Sequence, residues 1–65
     1  DASMIEFLLE RGLNPNDKDK KGRTCLDYLK VGDKEKITIF SKYENLLNEE
    51  NQKKLHRLRL KSIFQ

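Results

Sequence analysis

The sequence predicts an all-α protein. Apolar side chains fall at helical spacing in residues 4–9 and again in 37–47, capping residues stand ahead of these stretches, and residues 49–64 are rich in helix formers. The chain is 65 residues long, enough for one small domain, because a chain of this size buries only about 60% of the surface that its unfolded form exposes. With 35% hydrophobic residues, 38% charged residues and no Trp, its core is thin and gains from packing against something else.

The first helix is predicted over residues 4–11. Met4, Ile5, Phe7, Leu8 and Leu9 supply its apolar positions, and Ser3 with Glu6 fits the S-x-x-E capping box. Gly12 can adopt positive φ at the exit, and Asn14-Pro15-Asn16-Asp17 is dense in turn formers, so a polar loop is expected as far as Gly22. A brief second helix begins at Thr24, where Asp27 supplies the acidic partner of another capping box. Gly32-Asp33 interrupts it, and Asp33 is placed to cap a third helix along which Ile37, Ile39, Phe40, Tyr43, Leu46 and Leu47 trace one stripe. The last segment carries Leu55, Leu58, Leu60, Ile63 and Phe64 as an imperfect apolar face among bases; the pattern leaves open whether Asn48 separates it from the helix before.

Several classes of function find no support. No apolar run approaches the roughly 18 residues of a membrane span, and Asp1-Ala2-Ser3-Met4 lacks the order of a signal peptide, so an intracellular setting, cytoplasmic or nuclear, is expected. Cys25 is the one cysteine and His56 the one histidine, which leaves no disulfide and no cluster for a metal. Gly12, Gly22 and Gly32 are spaced by ten and each adjoins a helix end, so they form no phosphate loop. Cys25 reads as a small buried group at a helix start and not as a nucleophile, and His56 reads as solvated. No enzyme activity and no cofactor are expected.

The string Leu8-Leu9-x-x-Gly12-x-x-Pro15-Asn16-x-Lys18-Asp19-x-x-Gly22-Arg23-Thr24-Cys25-Leu26-Asp27 resembles the junction between successive ankyrin repeats. The resemblance covers roughly residues 1–43. Cys25, Asp27 and Leu29 depart from the usual Pro, His and Ala, Gly32 comes one residue early, and Glu44 stands where the closing glycine belongs. The resemblance implies an ankyrin-like helix-turn-helix repeat with a C-terminal capping helix. Residues 1–16 would be the second helix and turn of a penultimate repeat, 17–48 the last repeat, and 49–65 a basic capping or tail helix. The Leu8/Leu9 face would be covered by upstream repeats of the same parent chain, since single repeats rarely suffice for stability.

Proteins of that family bind partner proteins through turn tips and first helices. Carried over residue by residue, this implies Lys20, Lys21, Arg23 and Lys30 as a basic ridge for a protein with an acidic surface, with Asp17 and Asp19 partly offsetting the field. Tyr28 is expected either to anchor a partner or to pack beside a neighbouring repeat. Charge is uneven along the chain: residues 1–32 carry six acids and six bases, residues 33–65 five acids and eight bases. Within residues 51–65, Lys53, Lys54, Arg57, Arg59 and Lys61 meet no acid at all, so the tail suits a capping helix, a contact with an acidic protein, or the binding of nucleic acid or an anionic membrane. Leu58 and Leu60 lie on different sides of a helix and Phe64 is the segment's one aromatic, which favours the first two readings.

Overall fold

Helix α1 spans Ala2–Glu10, and it is capped by Asp1, not by Ser3. The Asp1 carboxylate accepts the Met4 amide at 3.1 Å. Aspartate caps as well as serine does, and starting earlier extends the helix toward its amino end, so the box expected at Ser3 and Glu6 gives way. Glu6 points instead at α2, where the Lys42 ammonium lies 2.8 Å away. The exit is a Schellman motif: Gly12 adopts φ +99°, its amide donates to the Leu9 carbonyl, and the Leu13 amide reaches back to the Leu8 carbonyl at 3.0 Å. The structure, a computed structural model, describes residues 1–64; the expected tail runs one residue further, to Gln65, which lies outside the described residues.

Residues 14–17 form a turn in which the Asn14 side-chain oxygen accepts the Asn16 amide, followed by a second turn closed by the Gly22 amide on the Asp19 carbonyl. Gly22 sits at φ +77°. The helix expected at Thr24 shortens to a single 3₁₀ turn, Cys25–Tyr28, before the backbone becomes extended at Leu29. Its start is nevertheless the expected one, because the Asp27 carboxylate accepts the Thr24 amide at 2.8 Å. Leu26 on this turn is only 2% exposed, so the turn is held by packing more than by helix length.

Helix α2 spans Lys34–Lys42 with Asp33 in the capping position, although the Asp33 carboxylate accepts the Lys30 amide before the helix and none within it. The stripe read from Ile37 to Leu47 is not one helix. It stops at Lys42, and a second 3₁₀ turn, Glu44–Leu46, leaves Leu46 exposed and Leu47 buried. Asn48 then resolves the open question of the boundary: its side chain accepts the Asn51 amide at 2.9 Å and caps α3, Glu49–Ile63. All described elements are helical, α1 packs on α2, α2 on α3, and the first 3₁₀ turn on α3. The radius of gyration, 11.2 Å, is near the roughly 10.7 Å expected of a compact chain of this length, so these elements share one body.

One core serves the whole chain. Leu9, Leu26, Ile37, Phe40, Leu47 and Leu55 are buried, with Ile5, Leu29, Ile39, Tyr43 and Leu58 packed around them. Every element except the second 3₁₀ turn contributes to the buried set. The element that closes it is α3, whose Leu55 is fully buried. Beside Leu55 lies a polar node. Asn51, 1% exposed, donates from its amide nitrogen to the Asn16 side-chain oxygen at 2.8 Å and accepts the hydroxyl of Thr24, itself 1% exposed, at 3.1 Å. The same Asn16 oxygen accepts the Asn48 amide, and the Asn16 nitrogen donates to the Leu46 carbonyl, both at 2.9 Å. No buried side-chain nitrogen or oxygen of the described residues lacks a partner.

Asn51→Leu fills a similar volume but removes one buried hydrogen-bond partner from Asn16 and one from Thr24, so it is expected to lower stability by about 1–3 kcal/mol, read as a fall in the urea midpoint. Gly12→Ala places a Cβ in open space and costs only through φ, about 1 kcal/mol, whereas Gly32→Ala, without positive φ, is expected to leave the midpoint unchanged or raised.

Candidate functional site

Four surface features merit chemical attention: the turn tip at residues 19–23, the outer face of α1, the bases of α3, and the clefts between elements. At the tip, Lys20, Lys21 and Arg23 are exposed, as is Lys30 beyond the 3₁₀ turn. The tip is ordered by Asp19, whose Oδ1 accepts the amides of Lys21 and Arg23 at 2.9 and 3.0 Å while its Oδ2 accepts the Tyr28 hydroxyl. The Arg23 guanidinium stands over the Tyr28 ring, 6.0 Å from its centre. Tyr28 is thus about half exposed yet anchored to its own loop, and it pulls Arg23 toward Asp19. Beyond the 3₁₀ turn the Lys30 amide is bound by the Asp33 carboxylate. Within the expected ridge, Lys20, Lys21 and Arg23 stand on a turn tip ordered around one acid, Asp19.

The tail bases are less free than their stretch of sequence suggests. Lys53 lies 3.4 Å from Glu49, and Lys54 lies 3.0 Å from Asp27 and 3.5 Å from Glu50. Arg59 grips Glu44 with both guanidinium arms, at 2.9 and 3.1 Å, and reaches the Ser41 hydroxyl. Every one of these acids lies outside the window in which the bases were counted. Among the described residues Arg57 and Lys61 have no acid within ion-pair distance.

Helix α1 divides the face expected to be covered by a neighbour. Leu9 turns into the chain's own core, while Met4, Phe7 and Leu8 remain 57, 47 and 39% exposed. These three recur at the spacing of one helix face, and the Schellman exit adds Leu13, also exposed, at its end. Arg11 covers part of the stripe, its guanidinium 4.6 Å from the centre of the Phe7 ring. The periodicity of α1 showed that the helix is apolar, but not which of its leucines the chain itself would bury.

Comparison with protein-family models, with curated proteins and with solved structures found no match.

Cys25 is exposed, not buried as expected, because the core-facing place on the 3₁₀ turn is taken by the next residue, Leu26; the thiol points to the Pro15 carbonyl at 3.6 Å. Desolvation raises the thiol pKa above its ordinary value, which disfavours the thiolate. His56 is exposed, in a cleft with Glu44 and Arg59. Among the described residues no three of His, Cys, Asp and Glu gather as a metal site, and no helix is long and apolar enough to cross a membrane.

Three carboxylates titrate below their ordinary range: Asp19 through the Tyr28 hydroxyl and the Arg23 amide, Asp27 through the Thr24 amide and the Lys54 ammonium, and Glu44 through Arg59. Each is favoured in its charged form by the fold, so its contribution is complete above the unfolded carboxylate range and disappears as pH falls through the lowered pKa. The urea midpoint is expected to hold from pH 7 to about 5 and to fall below about 4, and Asp27→Asn is expected to flatten that fall.

Proposed function

We propose that this chain is the carboxy-terminal part of an ankyrin repeat domain, a non-catalytic scaffold for protein–protein recognition whose exposed turn tip meets an acidic partner. The observation that carries the reading is the apolar stripe Met4-Phe7-Leu8-Leu13 on the outer side of α1, opposite the face that contributes Leu9 to the core. Such two-sided apolarity fits a helix packed between its own unit and another stacked beside it. The Schellman exit at Gly12, the Asp19–Gly22 turn and the Thr24–Asp27 cap stand where the family's junction has its own turn and helix start. The single 3₁₀ turn at Cys25–Tyr28 departs from a repeat's full first helix, in keeping with Cys25 and Asp27 at positions usually held by Pro and His.

In this reading Lys20, Lys21, Arg23 and Lys30 form the partner contact, α3 is the cap, and the protein works within the cell. The rival reading, binding of nucleic acid or an anionic membrane by the tail, is weakened because Lys53, Lys54 and Arg59 already have acidic neighbours. Of the apolar residues a membrane-lying α3 would use, Leu55 lies in the core, which leaves Leu60, Ile63 and Phe64 exposed.

A consensus ankyrin repeat followed by the turn and first helix of the next, fused ahead of Asp1 so that α1 completes that second unit, tests the stacking. The fusion is expected to unfold in one cooperative urea transition, with a higher midpoint for this chain than it has alone, and Phe7→Ser is expected to remove most of that gain. Two separate transitions, with this chain's midpoint unmoved, would refute the reading.

A further inference from the structure

A shallow groove runs between the first 3₁₀ turn and α3, with a volume of about 250 Å³. Its apolar floor includes Leu29 and Leu58, both half-buried at the edge of the core. The floor stays open because the chain leaves the 3₁₀ geometry at Leu29 and runs on extended instead of laying a further helical turn over α3. Along one side stand Lys54, Arg57 and Lys61, which share a face of α3 by their spacing of three and four, with Leu58 among them.

The charges of this rim are not equivalent. Lys54 is held by Asp27 at 3.0 Å and Glu50 at 3.5 Å, so at that end an acid is already in place. Arg57 and Lys61 have no such neighbour among the described residues, and they flank Leu58 from the other end. An incoming carboxylate is therefore repelled at the Asp27 end and attracted at the Arg57–Lys61 end, while the leucine floor offers an apolar side chain a place beside it. The groove is smaller than the roughly 300–1,000 Å³ of small-molecule sites, which suits one or two side chains of a peptide better than a whole ligand.

We propose that this groove docks an acidic peptide segment of a partner protein, with an aliphatic side chain on Leu29 and Leu58 and the flanking carboxylates on Arg57 and Lys61. The assignment concerns α3 and does not depend on a repeat stacked against α1. A nucleic acid would find no aromatic ring here on which to stack a base.

The test uses the isotope-labelled chain and a synthetic acidic peptide of about twelve residues with two central leucines, followed by amide shifts. Saturable shifts are expected at Leu29, Arg57, Leu58 and Lys61. Affinity is expected to fall about tenfold both for a peptide with serines in place of the leucines and for the double variant Arg57→Glu with Lys61→Glu, and to stay unchanged for Lys20→Glu with Lys21→Glu. No saturation by about 1 mM peptide, shifts confined to another face, or equal affinity for the serine peptide would overturn the proposal. So would tighter binding of a short DNA duplex or of phosphatidylserine vesicles through the same residues. If the double variant does not fold, the shift map and the serine peptide on the unaltered chain decide. Because the fused repeat and the turn tip play no part, the stacking reading and this one stand or fall separately.

Discussion

The arrangement depends on one buried amide. Asn51 sits at the start of α3 with almost no exposure, and each end of its side chain is committed: the nitrogen to Asn16 in the first loop, the oxygen to Thr24 at the start of the 3₁₀ turn. Both partners are distant in sequence; Asn16 also binds the Leu46 carbonyl and Thr24 also reaches the Asp27 carboxylate, but only Asn51 joins the two. A leucine in this place would pack, but it would not discriminate between registers of α3 against the loops. The amide does, because a shift of one turn would part it from both Asn16 and Thr24 while it stays buried. Leu55, one turn further along, then enters the core at a position the node has already fixed.

That fixed position governs the electrostatics. Once α3 is seated, Lys54 lies against Asp27 on the 3₁₀ turn and Arg59 against Glu44 beside α2, so the helix is tied to both of its neighbours by charge as well as by packing. These pairs are largely solvent-facing and contribute modestly each, but they change what the surface can offer a partner. The basic character of the tail shrinks to Arg57 and Lys61, and the basic character of the turn tip is tempered by the Asp19 carboxylate in its midst. Net charge, +3 for the chain, is a poor guide to recognition when three of the five tail bases already face an acid.

Much of the local structure was legible in advance. Gly12 ends α1 as expected, Thr24 and Asp27 form their hydrogen bond, Asp33 precedes α2, and the helix formers from residue 49 onward do form a helix. Each involves groups within about four residues of one another, so their geometry is set by the chain itself. The misreadings were of another kind. Ser3 lost its place to Asp1, the 37–47 stripe broke after Lys42, and Cys25 stayed at the surface. At Ser3 a second cap stood two residues earlier, while for the stripe and Cys25 the core took Leu47 and Leu26.

What the sequence settled by itself is the helical class, the stop of α1 at Gly12, the starts after Thr24 and Asp33, and the apolar positions from which a core can be drawn. Only the tertiary structure decided which face of α1 is left uncovered, that Asn16 and Asn51 meet, and which of the five tail bases keep their charge for another molecule. Caps and turns depend on neighbours along the chain, whereas burial and ion pairing depend on groups brought from up to 35 residues away, and those distances exist only after folding.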